Sequence, residues 1–200
     1  MKIIGLTGQS GSGKSEVARV LLRHDIPHID CDRVYHDILA SDVNCKEELV
    51  QEFGSQILDI GGDIHRKKLA EEVFGTSGNH DKLNKLNKIT HKYVTAKCEE
   101  LIKKYRGEGK KAVTLDAPTL IESGLNRKCD VIIAVTAHEN TRLRRIKARD
   151  NITQKKAEMR INAQPKQYFY TDAADYVIKN DSSSEDLTLQ TEKFIREILN

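Results

Sequence analysis

Two hundred residues, 38% hydrophobic and 32% charged, suffice for one domain with a real core and a densely charged surface. The formal net charge is only +3, which excludes the broad basic field that grips nucleic acid. No run of roughly 18 apolar residues occurs and the start lacks a secretory pattern, so no membrane span and a cytoplasmic address are expected.

The first fifteen residues carry the strongest signal. Lys2–Leu6 is a short apolar run that reads as a strand, and it leads into Gly8-Gln9-Ser10-Gly11-Ser12-Gly13-Lys14-Ser15. That is a complete G-x-x-x-x-G-K-[ST] phosphate-binding loop, followed by the amphipathic stretch Glu16–Leu22. Gly8, Gly11 and Gly13 permit backbone angles that let successive N–H groups converge on phosphate oxygens. Gly11, Ser12, Gly13, Lys14, Ser15 and Glu16 therefore line a candidate ATP site. Lys14 is the catalytic cation toward the β/γ phosphates, and the Ser15 hydroxyl is the metal ligand.

The brief run His28–Asp30 reads as a second strand, ending in Asp30-Cys31-Asp32. Were the strand to continue, Asp30 and Asp32 would share one face, toward the phosphate loop. A phosphoryl acceptor's hydroxyl needs a carboxylate to align it and take its proton, and Asp32 is the candidate. A helix N-cap ahead of Arg33–His36 is the competing role for Asp32. Asp30 or Asp116 suits a metal held through water.

Residues from about 45 to 110 differ in character. Glu47–Phe53, Lys67–Phe74 and Lys82–Tyr105 read as helices, with turns at Gly61-Gly62-Asp63 and Thr76-Ser77-Gly78-Asn79. The pattern predicts a helical insertion into a core of residues 1–44 and 111–200. Strand-like runs then resume at Ala112–Leu115, Val131–Val135 and Tyr176–Ile178. This alternation predicts an α/β fold with a parallel sheet between helical layers. Ligands of such sheets bind beyond the carboxyl ends of the strands. Basic residues at 142, 144, 145, 147 and 149 crowd the helix after the fourth strand, either as a solvated face or as part of a lid spanning about 140–168. Tyr168-Phe169-Tyr170 suits either an aromatic patch for a base or packing between helices.

Cys31, Cys45, Cys98 and Cys129 lack metal-ligand spacing and read as reduced thiols, with Cys31 as a small buried side chain. The seven histidines form no metal-spacing pair. A regulatory GTPase fits poorly: Asn84-Lys85-Leu86-Asn87 and Asn87-Lys88-Ile89-Thr90 lack the guanine-reading aspartate and lie in a helical pattern. A nucleic-acid-linked ATPase lacks a recognition module.

Along nearly its whole length the sequence resembles the dephospho-coenzyme A kinases. The resemblance rests on Ile4–Gly8 with Gly11–Ser15, on Asp30-Cys31-Asp32 for the family's D-A-D, and on Phe53-Gly54. It continues through Arg66–Phe74, Leu86–His91, Asp116-Ala117-Pro118-Thr119-Leu120-Ile121-Glu122, Arg149-Asp150, Arg160–Gln164 and Ala174–Asn180. Departures are Glu16 for a Thr, Lys92 for a Pro, Thr119 for a Leu, and an altered 164–170 segment. The resemblance implies a three-layer P-loop kinase that transfers the ATP γ-phosphoryl group to the ribose 3′-hydroxyl of dephospho-CoA, with Mg²⁺. It implies Asp32 as acceptor-side base and Arg142, Arg149 and Asn180 around the nucleotide. It also implies Asp32, Arg66, His91 and Pro118 around dephospho-CoA. The expected state is a monomer or weak homo-oligomer with no nucleic-acid or membrane partner.

Overall fold

The computed structural model describes residues 1–75 and 80–199. Five strands form one parallel sheet: β1 (Lys2–Thr7), β2 (His28–Asp30), β3 (Ala112–Asp116), β4 (Val131–Thr136) and β5 (Tyr176–Lys179). Their order is β2-β3-β1-β4-β5. The expected strands are all present, within a residue at each end. Their Val- and Ile-rich runs suit burial on both faces, and every residue of β3 is buried.

The helices are α1 (Lys14–Arg23), α2 (Cys31–Ser41), α3 (Val43–Phe53), α4 (Arg66–Phe74), α5 (His80–Gly107), α6 (Glu139–Asp150), α7 (Gln154–Asn162), α8 (Gln167–Thr171) and α9 (Ser184–Leu199). The chain divides into two compact units. One comprises Met1–Asp30 and the chain from Ile102 onward, and the other is Cys31–Leu101. The helical unit thus opens with α2, earlier than residue 45.

In the sheet-bearing unit, Ile4, Leu6, Ile133, Val135 and Ile178 pack with Val17, Leu21, Leu187 and Phe194 from α1 and α9. Each buried aliphatic side chain of this kind contributes about 1.5–3 kcal/mol. A smaller cluster of Ile146, Ala157 and Ile161, flanked by Leu143 and Ile152, joins α6 to α7.

The helical unit has its own buried residues, including Cys45, Leu49, Ile57, Leu69 and Val73. Asp42 caps α3 by accepting from the Cys45 amide at 2.8 Å, which starts the helix four residues before the expected Glu47. The turn at Gly61-Gly62-Asp63 is present, closed by Gly62 N–H to the Asp59 carbonyl at 3.1 Å. The other turn expected there, Thr76–Asn79, lies outside the described residues. Among the described residues no helix is long and apolar enough to cross a membrane.

Candidate active site

β1 lies at the centre of the sheet with β3 and β4 beside it. Leu6 and Asp30 both pair in register with Asp116, so β1, β2 and β3 end at one edge. The phosphate loop leaves that edge. Gly13 precedes α1 at φ 104°, and a Cβ there would stand 2.0 Å from Asn180 Nδ2. At Gly8, φ 140°, a Cβ would meet the Val135 carbonyl oxygen at 2.3 Å. Glycine is thus required twice, by backbone angle and by close approach.

Lys14 reaches across this edge to Asp116, Nζ to Oδ1 at 2.9 Å. His28 Nε2 donates to the other carboxylate oxygen at 3.1 Å. Burial pushes the Asp116 carboxyl up, but the His28 hydrogen bond and the Lys14 charge hold it below the usual carboxylate range. Asp116 is therefore an anion, poised beside the cation expected to meet the phosphates.

The loop is held from outside by four polar side chains. Arg142 donates from Nε to the Ser10 carbonyl at 3.1 Å and from Nη1 to Gln9 Oε1 at 2.5 Å. Arg145 Nη1 reaches the carbonyls of Gly11 and Ser12 at 3.3 and 3.4 Å, and its Nη2 donates to Asn180 Oδ1 at 3.2 Å. Asn180 Nδ2 donates to the Ser12 carbonyl at 2.9 Å and lies 3.4 Å from Glu16 Oε2. Arg149 touches Ser10 Oγ at 3.4 Å but is chiefly paired to Asp150. Cations and an amide thus take up the carbonyls of Ser10, Gly11 and Ser12, while the Ser10 amide donates to Gln164 Oε1 at 2.9 Å and the Ser12 amide to the Gln9 carbonyl at 3.1 Å.

In this unit the structure gathers Gly11, Ser12, Gly13, Lys14, Ser15, Glu16, Arg142, Arg149 and Asn180 around one loop, with Asp116 at the Lys14 end. Ser15 is exposed on the first turn of α1, and Pro118 follows β3 half-buried. Arg145, Gln9, Gln164 and His28 also belong here, although the sequence singled out none of them as a site residue. In the sequence, Arg145 lies on a basic helix face, Gln9 at a variable position of the loop, Gln164 at the end of the Arg160–Gln164 segment and His28 at the start of the second strand-like run.

The helical unit holds Asp32, Arg66 and His91. β2 stops at Asp30 and α2 begins at Cys31, so the strand alternation expected to align Asp30 with Asp32 does not occur. Asp32 instead sits exposed in the first turn of α2. A carboxylate there is favoured by the helix dipole. Arg66 opens α4 and donates from Nη1 to His36 Nδ1 at 2.8 Å. His91 is half-buried on α5, and burial holds its imidazole below the usual range. A depression of about 580 Å³ lined by Glu52, Phe53, Glu72 and Lys82 contains none of these residues, and its Lys85–Glu52 pair at 2.6 Å already satisfies two of its charges.

The cysteines are thiols, as expected. Cys31 and Cys98 are buried with their sulfurs 3.8 Å apart. Burial pushes Cys45 up to about 11 and Cys129 up to about 12, which leaves both unreactive. Tyr170 is buried, with its ring edge-on to its neighbour Phe169 at 5.3 Å, while Tyr168 is exposed.

A central parallel strand, a glycine loop feeding a helix N-terminus and a lysine–aspartate pair across the sheet edge define an α/β P-loop nucleotide-binding protein. The profile of the dephospho-CoA kinase family matches residues 2–186. A curated dephospho-CoA kinase from Fusobacterium nucleatum is 39% identical, covering 98% of either chain. One from Lactobacillus acidophilus is 33% identical over 98% of this chain and 96% of its own. Among solved structures, TT1252 from Thermus thermophilus superposes with a TM-score of 0.80 at 29% identity, covering 98% of this chain and 97% of that one. Dephospho-CoA kinase from Campylobacter jejuni gives 0.72 at 27%, covering 98% and 96%. The chain belongs to the dephospho-CoA kinase family, whose reaction is the ATP-dependent phosphorylation of dephospho-CoA in the last step of coenzyme A synthesis.

Proposed function

We propose that the acceptor atom is the ribose 3′-hydroxyl of dephospho-CoA and that the residues divide the work as follows. The observation that carries the assignment is the Lys14–Asp116 pair beside the glycine loop. Lys14 leaves Asp116 for the β/γ phosphates when ATP binds, placing a full positive charge where charge develops during transfer. Gly11 to Glu16 supply the cradle, while Arg142, Arg149 and Asn180 hold its outer face on the nucleotide side. Asp32 takes the proton of the attacking hydroxyl as its oxygen bonds to the γ-phosphorus and the bond to ADP breaks. Arg66, His91 and Pro118 contact dephospho-CoA. The sheet-bearing unit carries ATP, the helical unit of Cys31–Leu101 the second substrate, and residues 140–168 act as a lid that excludes water.

Mg²⁺ fits the donors present. The Ser15 hydroxyl and the carboxylates of Asp116 and Asp30 are hard oxygens at the sheet edge. Among the described residues no three His, Cys, Asp or Glu cluster into a protein cage. Such a set suits an ion carried on nucleotide phosphates, with Ser15 as direct ligand and a carboxylate acting through water. When bound, the ion screens the charge of the transferring phosphoryl group. The reading places the protein in the cytoplasm as a monomer or weak homo-oligomer without nucleic-acid or membrane partners.

The test is ADP release from Mg·ATP with dephospho-CoA, adenosine or AMP as acceptor. Stimulation by dephospho-CoA with coenzyme A as product supports the assignment. Equal stimulation by adenosine or AMP overturns the acceptor, and no acceptor dependence overturns the transfer.

A further inference from the structure

The sequence marks Gln9 only as a variable position of the phosphate loop, yet the residue is buried, at 7% exposure. Both ends of its carboxamide are used. Nε2 donates to the Pro165 carbonyl at 2.8 Å, and Oε1 accepts from Arg142 Nη1 at 2.5 Å. The orientation follows from the partners, because a guanidinium only donates and a carbonyl only accepts. Next to it, the Ser10 amide donates to Gln164 Oε1 at 2.9 Å, and the Ser10 carbonyl accepts from Arg142 Nε at 3.1 Å. Residues 9 and 10 are therefore tied on one side to α6 and on the other to the segment that leaves α7.

Arg142 makes the tie sensitive. It is 4% exposed, and its hydrogen bonds go to a backbone carbonyl and a neutral amide oxygen. Its remaining nitrogen, Nη2, has no hydrogen-bond partner among the described residues. Removing Gln9 would strand a second nitrogen of a buried guanidinium, an outcome costlier than losing a neutral contact.

We infer that Gln9 is a positioning residue that latches the phosphate loop to the 164–165 end of the lid, with Arg142 as its anchor. The inference rests on the proposed reading of residues 140–168 as a lid. Movement of α7 and α8 must either carry residues 9–10 along or break the contacts at Pro165 and Gln164. The latch thus couples the shape of the phosphate cradle to closure over the nucleotide. It acts through Ser10 and the loop backbone and touches no reacting atom.

The experiment uses the full chain as wild type, Gln9→Ala, Gln9→Met, Arg142→Met and the double variant Gln9→Met/Arg142→Met. Gln9→Met keeps the volume without the amide and guards against a packing defect in the alanine variant. ATP affinity is read by calorimetry, hydrolysis by ADP release without acceptor, and folding by thermal melting. Each Gln9 variant is expected to weaken ATP binding about tenfold, as losing a hydrogen bond to a charged group does. It is also expected to raise acceptor-independent hydrolysis severalfold while the apparent KM for dephospho-CoA stays unchanged. The double variant should lose no more ATP affinity than the worse single variant.

Additive losses overturn the partnership of Gln9 and Arg142. Unchanged hydrolysis in both Gln9 variants overturns the connection to the lid, whatever the affinity does. A fall in melting temperature with wild-type affinity and hydrolysis assigns Gln9 to packing and overturns the inference. If wild type shows no stimulation by dephospho-CoA, the acceptor assignment fails, while coupling in ATP affinity still decides the latch.

Discussion

The two compact units achieve their ends by different physics. Around the phosphate loop the candidate site is built mostly from backbone: glycines at positive φ, strand ends in register, and side chains that take up the loop's carbonyls. In the helical unit the candidate residues are side chains on separate helices, with Asp32 on α2, Arg66 on α4 and His91 on α5. A phosphate is the same ligand in every nucleotide enzyme, so one backbone solution serves. An elaborate acceptor must be met by side chains placed one at a time, and little of that placement shows in a motif.

The largest test of this contrast is Lys14→Ala, which should lower turnover about 10³-fold by removing the cation that stabilises the transferring phosphoryl group. The fold should survive, as circular dichroism would show, with the melting temperature lowered because Asp116 loses its partner. Asp32→Asn should lower kcat about 10²-fold and leave ATP affinity within a factor of two. If calorimetry finds ATP binding lost instead, Asp32 serves the nucleotide and the division of labour between the units fails. Gly13→Ala probes the backbone half directly. Its φ of 104° and the 2.0 Å approach to Asn180 predict a loss of about 1–3 kcal/mol in urea unfolding, together with weaker ATP binding.

Arg66→Ala should barely move stability, within about 0.5 kcal/mol. It should raise KM for dephospho-CoA about fivefold with KM for ATP unchanged, as expected of a lost contact to an anionic substrate. The smallest effect concerns acid stability. The Asp116 carboxyl titrates lower in the folded protein than in the unfolded chain. Its contribution is present above the ordinary carboxylate pKa of about 4 and disappears as pH falls through that value toward the lowered one. Asp116→Asn should therefore flatten the acid limb of the unfolding profile below about pH 5.

What the sequence made legible follows the same division. Buried parallel strands are apolar and β-branched throughout, so Val131–Thr136 or Ala112–Asp116 stands out in any window. The phosphate loop was readable because its chemistry fixes residue type and spacing together. The start of α2 was not, because the chain passes from strand to helix at Cys31 with no glycine or proline to mark it. The early start of α3 does carry a local signal, Asp42, a residue type that caps helices and here accepts from the Cys45 amide. Arg145, Gln9, Gln164 and His28 were invisible as site residues for a different reason. Arg145 gains its role by meeting Asn180, Gly11 and Ser12, and His28 by meeting Asp116, across separations no sequence window spans.

The sheet order sets the timetable by which this site comes into being. β1 leaves the ribosome first, yet both of its neighbours, β3 and β4, belong to the second half of the chain. Until they arrive, Ile3 to Thr7 form an apolar strand with two unpaired edges, which favours slow closure and invites association with other nascent chains. The loop itself waits longer still. Its carbonyls are held by Arg145 and Asn180, so a motif made before β2 to β5 takes its final shape only after β5 has been synthesised.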